Sequence, residues 1–266
     1  MEYLRILYRE GITEVGVLPL SKCRMIREYL LGKTEADIKS VIAFLIPYYT
    51  GEGENISAYA ISMDYHFYMN ELFLRICPQL QKAYPDHRFF GFSDHSPIDE
   101  RELVLETALA MKGENRLLIH EKYGTYFFVA EVFTTLPPEV LGYVEKKNTP
   151  SSCLQCGACR RACPGGALAG TGVCLSAVTQ KKGILDESER EMIKKSGCAW
   201  GCDVCQQVCP YNHRAEKTPI EFFYRERLPR LTAESIRTMD EETFSRRAYS
   251  WRGRETILRN LKILEE

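Results

Sequence analysis

Seven cysteines in two spaced blocks constrain this chain more than any other feature. Cys153-x2-Cys156-x2-Cys159-x3-Cys163-Pro164 has the spacing of bacterial ferredoxins, and Cys202-x2-Cys205-x3-Cys209-Pro210 repeats its second half. Three thiolates on one tight loop can wrap a corner of an iron–sulfur cubane. The fourth, turned away at the proline, ligates the neighbouring cluster in two-cluster proteins. Crossing the partners assigns one [4Fe–4S] cluster to Cys153, Cys156, Cys159 and Cys209. The other takes Cys163, Cys202, Cys205 and one further thiolate. Spacing alone favours Cys198, four residues before Cys202, with Cys174 as the competitor. Paired zinc knuckles also use C-x2-C pairs, but they have no need of the x3-Cys-Pro ending twice. The leftover thiol, with Cys23 and Cys77, reads as a buried small hydrophobe.

Compartment follows from the same residues. Nine of the eleven cysteines lie between 153 and 209, and such crowding in a reducing compartment points to metal rather than disulfides. Glu2, Arg5, Arg9 and Glu10 interrupt the N-terminus where a signal peptide would be apolar. The longest apolar runs, such as Val41 to Tyr49, fall far short of the roughly 20 residues that cross a bilayer. A cytoplasmic protein with no membrane partner is expected. Its net charge of −1 provides no global field toward nucleic acid, so any RNA contact must be local.

An α+β fold in three pieces is expected. Residues 1–148 read as a mixed α/β domain, 149–213 as a two-cluster ferredoxin-like module, and 214–266 as a short helical extension. Asn148-Thr-Pro-Ser-Ser is the linker. Within the first piece, the apolar run ending at Pro47 predicts a buried strand. Apolar spacing predicts a helix from Tyr59 to Leu80 that stops at Pro78. Arg101–Met111 reads as a second helix ending before Gly113, and Tyr126–Phe133, dense in β-branched and aromatic residues, as a strand.

A ferredoxin module needs only about 60 residues, so the first 150 require another role. Asp94-His-Ser-Pro-Ile-Asp-Glu-Arg101 sets Asp94, Asp99, Glu100 and His95 just before a helix. Taken alone, such a string is a solvated turn with Asp94 or Ser96 capping the helix.

Several segments, in order, resemble the epoxyqueuosine reductase family, cobalamin-dependent iron–sulfur enzymes of the last step of queuosine synthesis in tRNA. Ile56-Ser-Ala-Tyr-Ala with Asp64-Tyr-His66 is similar to its "ISRYA…DYH" segment, and Asp94-x2-Pro97-x2-Glu100-Arg101 to its "DxxPVxER" motif. Gly113-Glu-Asn-Arg-Leu-Leu-Ile119 and Tyr123-Gly-Thr-Tyr-Phe-Phe-Val-Ala-Glu131 resemble "GKNTLLI" and "YGSWFFLGE". Cys174-Leu-Ser-Ala-Val-Thr and Gly201-Cys-Asp-Val-Cys-Gln-Gln-Val-Cys-Pro-Tyr-Asn212 match as well. The likeness runs from about Val41 to the C-terminus. Two positions depart from it: the arginine of "ISRYA" is Ala58, and the lysine of "GKN" is Glu114. The chain also ends about where the family's tRNA-gripping helical repeats would begin, as in a short form.

The resemblance implies two [4Fe–4S] clusters and a cobalamin, with Cys174 rather than Cys198 as the eighth cluster ligand. It implies that electrons from an external donor such as a ferredoxin or flavodoxin pass through the clusters to the cobalamin. Asp94 would be the proton donor to the opened epoxide, its carboxyl kept protonated by the apolar corrin. Asn115, Leu118, Val129 and Ser176 would line the corrin. Epoxyqueuosine in tRNA would be the substrate and the protein a monomer. The same chemistry on another substrate, or a non-enzymatic electron carrier or corrinoid activator, are the competing expectations. His66, His87, His120 and His213 are scattered and read as surface or satisfied core, with His66 conceivable as a cobalt ligand. Arg246, Arg247, Arg252, Arg254 and Arg259 fit either an RNA-phosphate patch or a solvated helical face.

Overall fold

Val41 to Ile46 lacks the polar–apolar alternation of a half-exposed strand, so it requires cover on both faces. The computed structural model, which describes residues 1–145 and 152–266, supplies that cover. Its strands are β1 (Val15–Pro19), β2 (Ser40–Pro47), β3 (Phe89–Phe92), β4 (Met111–Lys112), β5 (Leu118–Ile119) and β6 (Phe127–Thr134). Four of them form an antiparallel sheet in the order β1-β2-β6-β3, while β4 and β5 pair as a separate ladder. All eight residues of β2 are buried.

Successive side chains of β2 leave on opposite faces. Ile42, Phe44 and Ile46 enter the main core with Leu7 of α1 (Glu2–Arg9). On the other face Val41 and Ala43 meet Leu103, and Leu31 of α2 (Tyr29–Gly32) packs against them. The helix α3 (Tyr65–Ala83) covers the first face through Met69, Leu72 and Ile76. The helix α4 (Glu100–Glu106) covers the second, where its Val104 meets Leu45 and Val129.

Three boundaries differ from the sequence expectation. The first long helix begins at Tyr65 instead of Tyr59 and runs through Pro78 to Ala83. Proline removes the bond to the carbonyl of Leu74, which is 76% exposed, so water can serve that carbonyl. The second helix stops at Glu106, because Ala108 takes a left-handed φ of 55° and Met111 already lies in a strand. Its cap is Asp99, which accepts from the N–H groups of Arg101 and Glu102, in place of Asp94 or Ser96.

The cysteine-rich part carries α5 (Ala158–Ala162), α6 (Leu175–Thr179), α7 (Glu187–Ser196) and α8 (Val204–Gln207). The tail adds α9 (Ala233–Thr238), α10 (Glu241–Ser245) and α11 (Arg254–Glu265). Phe223, Leu231, Ile236, Tyr249 and Ile257 of the tail sit in the same core as the sheet. The N–H of Leu228 donates to the Ile61 carbonyl and that of Glu54 to the Pro229 carbonyl, both at 2.8 Å. The linker residues through Ser151 and the boundary placed at 148 lie outside the described residues. No described helix is long and apolar enough to cross a membrane.

Candidate cluster and cofactor site

Cys153 and Cys156 lie on an extended loop, Cys159 in the first turn of α5, and Cys209 just beyond α8. These four line one small cavity together with Glu114, Asn115 and Tyr211. The thiol of Cys209, raised chiefly by burial, faces those of Cys153 and Cys156.

Cys163 caps the C-terminus of α5, Cys174 the N-terminus of α6, and Cys202 and Cys205 flank the start of α8. These four open onto a second cavity of about 460 Å³. Cys198 is absent from that wall. Its Sγ lies 3.2 Å from the Gly201 carbonyl oxygen and packs beside Leu175, and burial pushes its thiol up to about 12. Burial likewise raises Cys23 to about 12 and Cys77 to about 11, as expected of enclosed thiols.

The second cavity is roofed by the sheet domain through Tyr48, Tyr59, Asn115, Thr125, Phe127 and Phe128, with Ser176 opposite. It adjoins another of about 170 Å³, lined by Asp94, Glu100, Leu118 and Val129. The two share Arg116, Leu117, Thr125, Phe127 and Phe128. Asp94, Asn115, Leu118, Val129 and Ser176, singled out from the sequence, therefore lie around two neighbouring cavities with a common wall. One cavity holds four thiols and the other a carboxyl. The Nδ2 of Asn115 is buried in the wall of the larger without a hydrogen-bond partner, a donor waiting for a bound group. A cofactor in the size range of about 300–1,000 Å³ typical of ligand sites, apolar over most of its face, fits these residues.

The two halves of the chain are locked across this space. Asp203 accepts from the Ser57 hydroxyl at 2.5 Å, the Ala58 N–H at 2.6 Å and Gln206 Nε2 at 2.6 Å. Thr125 donates its N–H to Asn212 Oδ1 at 2.7 Å and its hydroxyl to Gln206 Oε1 at 2.8 Å. Two glycines permit the approach. A Cβ on Gly124 (φ +57°) would stand 2.0 Å from Asn212 Oδ1, and one on Gly201 (φ +73°) 2.5 Å from the Ser57 Cβ. Ala58 contributes only its backbone to this lock, so its departure from the family pattern leaves it intact.

Asp94 adopts a left-handed φ of 58°, which aspartate tolerates, on the lip of the smaller cavity. Its side chain is half-exposed. Burial first, and then the nearby Asp64 carboxylate, raises its pKa. His66 stands between the two, with Nε2 3.3 Å from Asp94 Oδ2 and Nδ1 2.7 Å from Asp64 Oδ1. This placement was not visible in the sequence, where His66 reads as surface or core. The remaining histidines have other partners: His95 Nε2 lies 3.1 Å from the Tyr29 hydroxyl, His87 is at Thr135, His120 at Glu14 and His213 at the Gln207 carbonyl. Two further carboxyls, Glu100 and Glu131, also stand behind Asp94.

The tail arginines are mostly engaged within the fold. Arg247 is buried and donates to the Glu226 carbonyl, Arg246 pairs with Glu226, and Arg254 pairs with Glu241. Arg259 donates to the carbonyls of Lys181 and Gly183.

A family model described as a 4Fe-4S double cluster binding domain matches residues 152–212. An epoxyqueuosine reductase of Listeria monocytogenes is 34% identical over 215 residues, covering 76% of this chain and 54% of that protein. One from Cyclobacterium marinum is 31% identical, covering 78% and 69%. The chain spans little more than half the length of the first of these relatives. The fold matches a crystal structure of an epoxyqueuosine reductase with an epoxyqueuosine-modified tRNA-Tyr stem loop, at a TM-score of 0.79 and 20% identity, covering 99% of this chain and 80% of that one. It matches a B12-dependent reductive dehalogenase less closely, at a TM-score of 0.50 and 15% identity, covering 99% and 35%.

Proposed function

This chain belongs to the epoxyqueuosine reductase family, and from that premise we propose that it is a cobalamin- and iron–sulfur-dependent reductase acting on epoxyqueuosine in tRNA. The observation that carries this reading is the adjacency of two cavities, one lined by the thiols of Cys163, Cys174, Cys202 and Cys205 and the other by the carboxyl of Asp94, which share five wall residues. A cobalamin held there supplies a strongly reducing cobalt centre, and the two clusters supply electrons one at a time.

The chain's own part is orientation and proton handling. Asn115, Leu118, Val129 and Ser176 would hold the cofactor, and Asn115 Nδ2, buried without a partner, would be free to donate to it. Tyr48, Phe127 and Phe128 exclude water above it. As the epoxide opens, negative charge gathers on its oxygen and Asp94 donates a proton to it. His66, set between Asp94 and Asp64, fixes the direction of that carboxyl. An external one-electron donor of the ferredoxin or flavodoxin class feeds the clusters.

The test is incubation of anaerobically reconstituted protein with epoxyqueuosine-containing tRNA, a one-electron reductant and cobalamin, followed by nucleoside mass spectrometry. Queuosine should appear, and its absence would overturn the substrate. One observation favours the same chemistry on a different substrate: Arg246, Arg247, Arg254 and Arg259 are held by internal partners, which leaves few of the tail's cations for phosphate.

A further inference from the structure

We propose that Glu131 and Glu100 are positioning residues that hold a proton behind Asp94 and reload it within each turnover. The inference rests on the epoxide reading above and gives it a proton supply. Removing an epoxide oxygen as water breaks both of its C–O bonds and leaves a carbon–carbon double bond. Two electrons and two protons are consumed. The electrons come from the external one-electron donor through the clusters. The first proton passes from Asp94 to the oxygen as the first C–O bond breaks, which leaves Asp94 ionised. The second is needed when the resulting hydroxyl departs as water, and a single carboxyl cannot supply both without being refilled.

The refill stands directly behind Asp94. Glu100 shares the smaller cavity with Asp94, and its carboxyl accepts from the Asp94 backbone N–H. One of its oxygens, Oε2, is buried without a hydrogen-bond partner. Glu131, on β6, is 0% exposed, and neither of its oxygens meets a partner at hydrogen-bond geometry. The groups facing it are the Ser96 hydroxyl and the carboxyls of Glu100, Asp94 and Asp99 from the segment entering α4. Cys23, between β1 and α2, also faces it, while its strand neighbours Ala43 and Phe92 bring no charge. Arg101 faces Glu100, and Asp64 and His66 face Asp94.

An acidic group of this kind on a surface would be a solvated cluster. Here an enclosed carboxylate with no donor at hydrogen-bond geometry is too costly to remain ionised, so Glu131 keeps its proton in the resting protein. Burial first and the neighbouring carboxylates next push Glu131 to about 8 and Glu100 to about 7. A proton moving to ionised Asp94 from Glu100, and to Glu100 from Glu131, spreads the new charge over three coupled carboxyls. The set is refilled from solvent through the cavity after product leaves.

The test uses the full chain with both clusters reconstituted and its glutamate carboxyls carbon-13 labelled, followed by infrared spectroscopy across pH. A protonated glutamate band should persist to about pH 7–8, and Glu131→Gln should remove the part of it that titrates highest, leaving that of Glu100. Asp94→Asn should move the band's midpoint to lower pH, since it removes a neighbouring negative charge. Glutamates that all titrate in the ordinary range, or a midpoint unmoved by Asp94→Asn, would overturn the proposal. In turnover, Glu131→Gln should lower kcat about tenfold below about pH 8, where Glu131 still carries its proton, with the difference from wild type fading at higher pH and KM unchanged, and Glu131→Asp should restore part of it. An unaltered pH profile in Glu131→Gln would also overturn it. The infrared step needs neither cobalamin nor tRNA. A band that behaves as expected beside a wild type inactive on epoxyqueuosine would therefore sink the epoxide reading while leaving the shared proton in place.

Discussion

The Ser57 hydroxyl donates to Asp203 Oδ1 at 2.5 Å across 146 residues of chain. Asp203 sits inside the Cys202-x2-Cys205 loop, and Ser57 inside the segment that leads to α3, so one partly buried carboxylate joins the cluster loop to the sheet domain. Asp203→Ala leaves the Ser57 hydroxyl, the Ala58 N–H and Gln206 Nε2 without their acceptor. The expected loss is on the order of 2–3 kcal/mol, or roughly 5–10 °C in Tm for a chain of this size. Thermal unfolding monitored by circular dichroism reads it directly, and an unchanged Tm would remove the lock from the fold's support.

Cys174 and Cys198 should separate cleanly on substitution. Cys174→Ala removes a thiol from the wall of the larger cavity, so iron content and the reduced-state electron paramagnetic resonance signal of one cluster should fall. Cys198→Ala removes a thiol that lies off that wall, with its Sγ against the carbonyls of Trp200 and Gly201, and should leave about eight irons per chain. The reverse pattern would restore the ligand that spacing alone favours.

Asp94→Asn should retain both clusters and the bound corrin while turnover drops at least about a hundredfold, the usual scale for a lost general acid. His66→Asn should slow turnover less, because the proton still comes from Asp94. Activity at the wild-type level in Asp94→Asn would assign proton donation elsewhere.

Glu131 also sets how stability depends on pH. Its folded pKa of about 8 lies above the 4.5 of an ordinary glutamate, so between those values the folded state binds more protons than the unfolded one. This contribution is complete below about pH 4.5 and is lost as pH rises toward 8, at up to about 1.4 kcal/mol per pH unit. Glu100 adds the same trend up to about 7. Urea unfolding of the wild type should therefore show falling stability across this window. In Glu131→Gln the slope should flatten, and a slope identical to the wild type would show that Glu131 is ionised throughout.

How much of this was legible in the sequence depended on range. Cysteine ligation is written in spacings of two and three residues, so seven thiols could be grouped before any coordinates, whereas spacing favoured Cys198 as the eighth and the cavity wall carries Cys174. The buried β2 declared itself by its unbroken apolar run. Asp94 was singled out by its motif. Glu131 was not, because within Val-Ala-Glu-Val it looks like the solvent-facing step of a strand. Its burial follows from α4 covering that face, a long-range fact. His66 escaped for the same reason, since its partner lies 28 positions away in a different loop. Pro78 misled because its cost depends on whether the orphaned carbonyl faces water, which local sequence does not specify.

The adjoining cavities between the second group of thiols and Asp94 are expected to hold a cobalamin. The most direct test of that occupancy is gel filtration of the anaerobically reconstituted chain after incubation with cobalamin, with iron and corrin measured on the protein peak. About eight irons and about one corrin per chain should co-elute, with the corrin spectrum changing when a one-electron reductant is added. Zinc in place of iron, only about four irons, or a peak without corrin would contradict it.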